Sequence, residues 1–326
     1  MKLLNTLTAI GLTMMTVAPL QAAEIKIAMN SVDDPSVSGE AAFAQGFAAA
    51  LEGTDFTVEM YPSNTLGKEK ERLDQVAQGL LEVNLAAAST VYSMSPLLKG
   101  VILPFYFASD AEMDASIEAG NLMDEFNKPL VESGIRLVGL NYIGTGMGIH
   151  NSKMPISTMA QMAELRFRAL NPEQIKLQEA IGSSGTVIAW AEVANAIQTG
   201  VADGYFNPPS SAIRNGHTSF LKYFTPADLW PSSRAIVISE DWYQTLSDEE
   251  KTQIDAAVDA GLAANRDWVA EWSTSVTEKQ VELGVTITPL AEGERDKIIA
   301  VAKPLWSETL TAEQLALWDQ AKAAAQ

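Results

Sequence analysis

The chain is 326 residues long and 47% hydrophobic, enough for a large core and for two domains. Its 41 acidic residues against 22 basic ones give a formal charge of −19, a surface that repels nucleic acid and anionic lipid. There is no cysteine, which excludes disulfides, thiolate metal sites and cysteine nucleophiles, and the two histidines, His150 and His217, have no partner at metal-ligand spacing.

Residues 1–23 read as a signal peptide. Lys2 gives a small positive start, an apolar stretch runs from Leu3 to Leu20, and Gln21-Ala22-Ala23 is a small-residue tail suited to cleavage after Ala22 or Ala23. An uncleaved N-terminal anchor is the second reading. No later stretch is apolar over the length a bilayer requires. The mature chain is therefore expected to be exported to the periplasm, soluble and not inserted in the membrane.

Residues 25–29 alternate as a strand. Phe43, Phe47 and Leu51 share one face of a helix predicted over 38–52. A strand at 56–61, a helix from about Lys68 to Gln78 ended by Gly79, and a buried strand at 82–88 complete an α/β unit with a mostly parallel sheet. The same order returns further on. It reads as a strand at 164–169, a helix at 172–181 opening on Pro172, a short strand at 186–188, a helix at 190–199 closed by Gly200, and a strand at 202–206. VAQGLLEV at 76–83 and IQTGVADG at 197–204 echo one another, as two similar facing lobes would. A strand at 231–238 follows. A long helix runs from about Asp248 to Leu283 behind a capping-box sequence, Ser247 to Glu250. The chain ends with a strand near 284–288 and helices near 292–306 and 311–324. No Pro/Gly/Ser-rich linker appears, so a chain that crosses between lobes repeatedly is expected: 24–146 with 235–283 as one lobe, 147–234 as the other, and 284–326 packing on both.

LRFRAL at 165–170 is followed by WAEVANAIQTGVADGYFNPP at 190–209. This run resembles the periplasmic solute-binding subunits of tripartite ATP-independent (TRAP) transporters, of the dicarboxylate-binding type. Arg168, Gly182, Trp190, the Glu192-Val193 pair, Gln198, Gly200, Asp203-Gly204 and Asn207-Pro208 carry the likeness. YPSNTLGKEKE at 61–71, LPFYF at 103–107, MPISTMAQM at 154–162 and DWYQTLSDEE at 241–250 extend it over most of the mature chain. The resemblance implies a two-lobed α/β fold with a ligand cleft between lobes and a long helix spanning them. It implies a small organic acid as ligand, TRAP membrane subunits as partners, no cofactor and no metal.

By the resemblance, Arg168 is the carboxylate anchor, and its planar fork and permanent charge suit that role. Asn207, stiffened by Pro208 and Pro209, can donate to the same group. Trp190 packs on the ligand in the family. Asn30 matches a first-lobe contact, and Ser89, Thr90 and Tyr92 occupy the loop after the 82–88 strand. Some members carry a second arginine where this chain has Gly148, so a single guanidinium and no sialic-acid-like ligand are expected. Trp190, Tyr205, Phe206, Trp230 and Tyr92 suggest a partly apolar acid. An exported enzyme and a ligand-presenting sensor on the same fold are the competing readings. GTGMG at 144–148 lacks the last glycine of a dinucleotide fingerprint, LGKEKE lacks the rest of a phosphate loop, and no nucleophile elbow occurs.

Overall fold

The computed structural model describes residues 23–326, so the expected signal peptide lies outside the described residues except for Ala23. Among the described residues no helix is long and apolar enough to cross a membrane.

The first unit follows the sequence closely: β1 (Ala23–Ala28), α1 (Gly39–Ala50), β2 (Phe56–Tyr61), α2 (Glu69–Ala77) and β3 (Val83–Ala87). Next come α3 (Asp110–Ala119), α4 (Leu122–Val131) and β4 (Ile135–Tyr142). The second unit holds β5 (Gly148–Asn151), α5 (Met159–Met162), β6 (Arg166–Ala169), α6 (Pro172–Ala180) and β7 (Ser184–Val187), then α7 (Val193–Gln198), β8 (Gly204–Asn207), α8 (Pro209–Arg214) and β9 (Tyr223–Thr225). The chain then returns through β10 (Ser233–Ser239) and α9 (Glu240–Thr245). The long α10 (Asp248–Glu282), β11 (Thr286–Ile287), α11 (Glu294–Ala302), α12 (Pro304–Thr309) and α13 (Ala312–Ala324) complete it.

Two mixed sheets form, in the orders β2-β1-β3-β10-β4 and β7-β6-β8-β5-β9-β11. Written this way the first five strands match: three parallel strands, then one antiparallel to both its neighbours (β10 or β5), then one antiparallel to that (β4 or β9); β11 is a sixth strand, parallel to β9. The echoed octapeptides occupy equivalent places. Gly79 (φ 69°) and Gly200 (φ 77°) each follow the end of a helix in the left-handed region, and each leads into a central strand, β3 or β8.

Alternation places the core on both faces of the first sheet. Ile25, Ile27, Leu85, Ile236 and Ile238 face α1 and α10, while Ala28, Leu137, Ala235 and Val237 face the side of α3, α4 and α13. The second sheet divides likewise, with Phe167 and Phe206 on one face and Tyr205 on the other. Helix α10 is started by the predicted capping box at Ser247 and Glu250. It crosses α1 closely: a Cβ at Gly46 would lie 2.7 Å from that of Ala264, and one at Gly261 2.7 Å from the Phe43 ring. Fully buried Asn265 then accepts from Tyr142 N (2.8 Å) and donates to Gly39 O and Tyr142 O (3.0 and 2.8 Å). Beyond it, Trp268 and Trp272 stack at 5.3 Å and pack with Val37 and with Ile213 of α8, so α10 touches both lobes. The tail crosses as well. β11 joins β9, and α13 packs on α3, with its buried Trp318 against Phe107 and Phe126 of α4.

Candidate functional site

A cleft opens where the two sheets meet. Asn30, Glu69, Ala87 and Arg234 line it from the first sheet's side. Arg168, Leu170, Trp190, Asn207, Ser211, Arg214 and Asn215 line it from the second, and Ile143 stands at the crossover. Asn30 follows β1, Ala87 ends β3 and Asn207 ends β8, so the cleft lies at the carboxyl ends of strands, where open α/β sheets place their ligands. Its empty space, open mouth included, is about 480 Å³.

Arg168 is the third residue of β6, in register with Tyr205 of β8 and Thr186 of β7, and is 2% exposed. Its Nε donates to Ile188 O (2.9 Å), and its guanidinium lies over the Trp190 ring at 5.6 Å. That bond and stack fix the fork, while Nη2 is buried with no hydrogen-bond partner among the described residues. Burial pushes the Arg168 pKa down to about 10, opposed by Glu69 and Tyr205, so it stays charged at neutral pH. Trp190 is held from behind by Tyr205 and His217, whose side chains hydrogen-bond at 3.1 Å.

On the other wall, Asn30 Nδ2 donates to Glu69 Oε1 (2.7 Å), and Asn30 accepts from Arg72. Arg72 is fully buried and also donates to Asn84 (2.9 Å), Asn64 (2.5 Å) and Leu85 O (3.2 Å), which sets the Asn30 amide. Arg234 of β10 forms ion pairs with Glu40 and Glu69. Burial works against the Glu69 carboxylate, but Arg234 and the Ala87 N–H (3.1 Å) hold its pKa below the usual range. On the opposite side, Arg214 ends α8, and burial lowers its pKa, with Glu40 opposing and Arg234 reinforcing.

The structure brings together four of the residues singled out in the sequence: Arg168, Asn207, Trp190 and Asn30. The others stand elsewhere. Ser89 and Thr90 sit in a turn of 3-10 helix after β3, where Thr90 Oγ1 donates to Ala87 O (2.7 Å) rather than to the cleft. Tyr92 is buried in the core of the first lobe, and Phe206 and Trp230 in that of the second. Phe206 points away because side chains alternate along β8: its neighbours Tyr205 and Asn207 take the cleft side. Of the aromatic residues expected near the site only Trp190 lines it; the lining is partly apolar through Trp190, Ala87, Ile143 and Leu170 and otherwise made of charged, amide and hydroxyl groups.

The expectation of one guanidinium is corrected too. Gly148 pairs with Asn207 on β8, and in the first sheet the residue paired with the matching strand end, Ala87, is Arg234. An arginine thus occupies the equivalent position of the facing sheet. Arg214 adds another. Ser211, Arg214 and Asn215 reach the cleft together because they stand three and four residues apart on one helical face, a spacing visible after the NPP turn. Nothing local distinguishes Arg234 or Glu69; only the fold shows their place.

A sequence model of the bacterial extracellular solute-binding proteins of family 7 matches residues 28–313. The ectoine/5-hydroxyectoine-binding periplasmic protein of Ruegeria pomeroyi is 24% identical over 75% of this chain and 74% of its own length. The C4-dicarboxylate-binding periplasmic protein of Rhodobacter capsulatus is 24% identical over 86% and 81%. In fold, the chain resembles a TRAP periplasmic solute-binding protein from Shewanella oneidensis with bound succinate (TM-score 0.83, 18% identity, 93% of this chain and 99% of that one). It also resembles one from Xanthobacter autotrophicus with bound β-D-galacturonate (TM-score 0.82, 19% identity, 92% and 99%).

Proposed function

Because the chain belongs to family 7 of the bacterial extracellular solute-binding proteins, whose members bind solutes and are not enzymes, we propose that it captures a small organic acid in the periplasm and delivers it to the membrane subunits of a TRAP transporter. The observation that carries this reading is Arg168, a buried guanidinium lining the interlobe cleft, one of whose nitrogens has no hydrogen-bond partner among the described residues. A carboxylate there would accept from the free Nη2, and Asn207 stands beside it to donate an amide N–H. The lobes would divide at 24–146 with 235–283 and at 147–234, with 284–326 strapped across both. Asn30, set by Arg72, would meet the ligand from the facing lobe. Relatives' ligands, from C4-dicarboxylates to ectoines, mark out the range to be searched.

A ligand gripped by both lobes stabilises the closed state by its differential affinity. At a hundredfold excess over its dissociation constant it should add about 2.7 kcal/mol, read as a rise of several degrees in melting temperature. A thermal-shift panel of carboxylates, sugar acids and ectoines tests this, with Arg168→Ala as the control expected to lose the shift. An unmoved midpoint across the whole panel would refute the organic-acid reading.

A further inference from the structure

The chain passes between the lobes at 143–147 and 228–232. These passages are joined by Ile143 N to Ser232 O (3.0 Å), Met147 N to Trp230 O (3.0 Å) and Leu229 N to Met147 O (2.9 Å). A third segment joins them although its path does not require it. Residues 103–107 have the first lobe on both sides, with the 3-10 turns at Pro96–Ile102 before them and α3 after, yet Phe105 N donates to Leu229 O (2.6 Å). Phe105 holds a left-handed backbone (φ 58°), which a bulky residue keeps only where its surroundings impose it. The segment is divided at that point. Leu103, Tyr106 and Phe107 pack in the first lobe's core, and the Phe105 ring packs against the core of the second. The C-terminal helices grip it from outside. Arg295 of α11 donates to Ala227 O and lies 4.9 Å over the Phe105 ring, Trp306 Nε1 donates to Pro104 O (2.9 Å), and Tyr106 donates to Asp319. Just before the segment, Lys99 pairs with Glu173 of α6 (2.8 Å). The other edge of the boundary differs. Asn30 and Asn64 bond within their own lobe, to Glu69 and Arg72, and among the described residues no hydrogen bond or ion pair joins them to Trp190 or Arg214 across the depression all four border.

We infer that Phe105 is a positioning residue for solute capture: it pins the lobes together along the edge formed by 103–107, 227–230 and α6, so that the cleft opens and closes only at the opposite edge, between Asn64 and Trp190. The inference rests on the reading of the chain as a two-lobed capture protein and adds the axis of its motion. Two bodies held along one side separate on the other, and the displacement grows with distance from the held side. Phe105 does not line the cleft, so it acts on capture only through the geometry of closure. Its backbone strain is maintained by the contacts on either side of it, with Leu229, Arg295 and Trp306 each fixing a different part of one short segment.

The chain has no cysteine, so spin labels attach only where cysteines are introduced. Two pairs of surface positions on helices report the two edges: Lys70 of α2 with Asn195 of α7 for the mouth, and Ala111 of α3 with Lys176 of α6 for the pinned edge. Double electron–electron resonance on the unliganded protein should give a Lys70–Asn195 distance distribution at least about twice as broad as that of Ala111–Lys176, as rotation about one edge requires. Phe105→Gly keeps a left-handed backbone that glycine adopts freely but removes the ring. It should broaden the Ala111–Lys176 distribution by about half or more, and Phe105→Tyr should restore the narrow one. A cooperative melt shows that Phe105→Gly is folded. If it is not, Trp306→Phe takes its place, since it withdraws the indole N–H from Pro104 O and should broaden the same distribution. Equal widths at the two edges of the wild type, or a pinned edge that stays as narrow in the folded variant as in the wild type, overturn the inference. The labels report with no ligand present, so failure of every acid in the thermal-shift panel would defeat the organic-acid reading and leave this result intact.

Discussion

At Arg168 the cost of substitution follows from burial. With a ligand carboxylate in place, Arg168→Ala leaves the acid in the cleft without its partner, a loss of roughly 3–5 kcal/mol, or about a hundred- to several-thousandfold in affinity. Arg168→Lys should also bind poorly, because a lysine offers a point charge in place of the fork that Ile188 O and Trp190 hold in position. Asn207→Ala should lose less, on the order of 1–3 kcal/mol, as one hydrogen bond to a charged group. Calorimetric titration with the ligand found by thermal shift checks the ranking, and Arg168→Ala with wild-type affinity would remove Arg168 from the site. These residues were legible because their motif is local: the run from 165 to 209 contains β6, the Trp190 turn, β8 and the NPP corner in one stretch. Glu69 and Arg234 were not, because their roles exist only once α2 and β10, 165 residues apart, meet at one ion pair. Tyr92, Phe206 and Trp230 misled for a related reason. Nearness in sequence to a site does not say which face of a strand a ring will take.

Among the elements, β1, α1 and the 35-residue α10 with its capping box are read nearly to their ends, but the pattern gives no element between 88 and 164, where α3, α4, β4 and β5 form. β5 lies near the centre of the second sheet. Its sequence, Gly148-Ile149-His150-Asn151, has one branched apolar residue and no alternation, and its four positions are all buried by neighbours the local pattern cannot show. Gly148 illustrates the point. A Cβ there would lie 2.4 Å from two atoms of the Phe224 ring and 3.0 Å from Thr225 O, so β9 packs where a side chain would begin. Gly148→Ala should therefore destabilise the unliganded protein by about 1–3 kcal/mol through overpacking, and Gly148→Arg by more, without gaining a second anchor in the cleft. Urea unfolding measures this directly. A midpoint within error of the wild type for Gly148→Ala would show that β9 yields easily and that an arginine at this position is compatible with the fold.

The whole molecule sets a problem for its own ligand: it carries a charge of −19 and is proposed to collect anions. The two fields act over different distances. At about 10 mM ionic strength the screening length is roughly 30 Å, so an approaching anion meets the summed repulsion of the entire surface. At about 150 mM it is roughly 8 Å, and an anion at the cleft mouth meets mainly Arg168, Arg214 and Arg234. Once bound, its contacts are buried and screened far less than those at the surface. The association rate for an anionic ligand should therefore rise severalfold between these two ionic strengths, with a much smaller change in the dissociation rate. An uncharged or zwitterionic ligand should show no such rise. Trp190 lies in the lining and offers a fluorescence signal for stopped-flow mixing across a salt series. An association rate that falls as salt is added would mean that the cleft's excess positive charge already dominates at long range. The surface charge would then be no obstacle to capture, and its place in this account would fall.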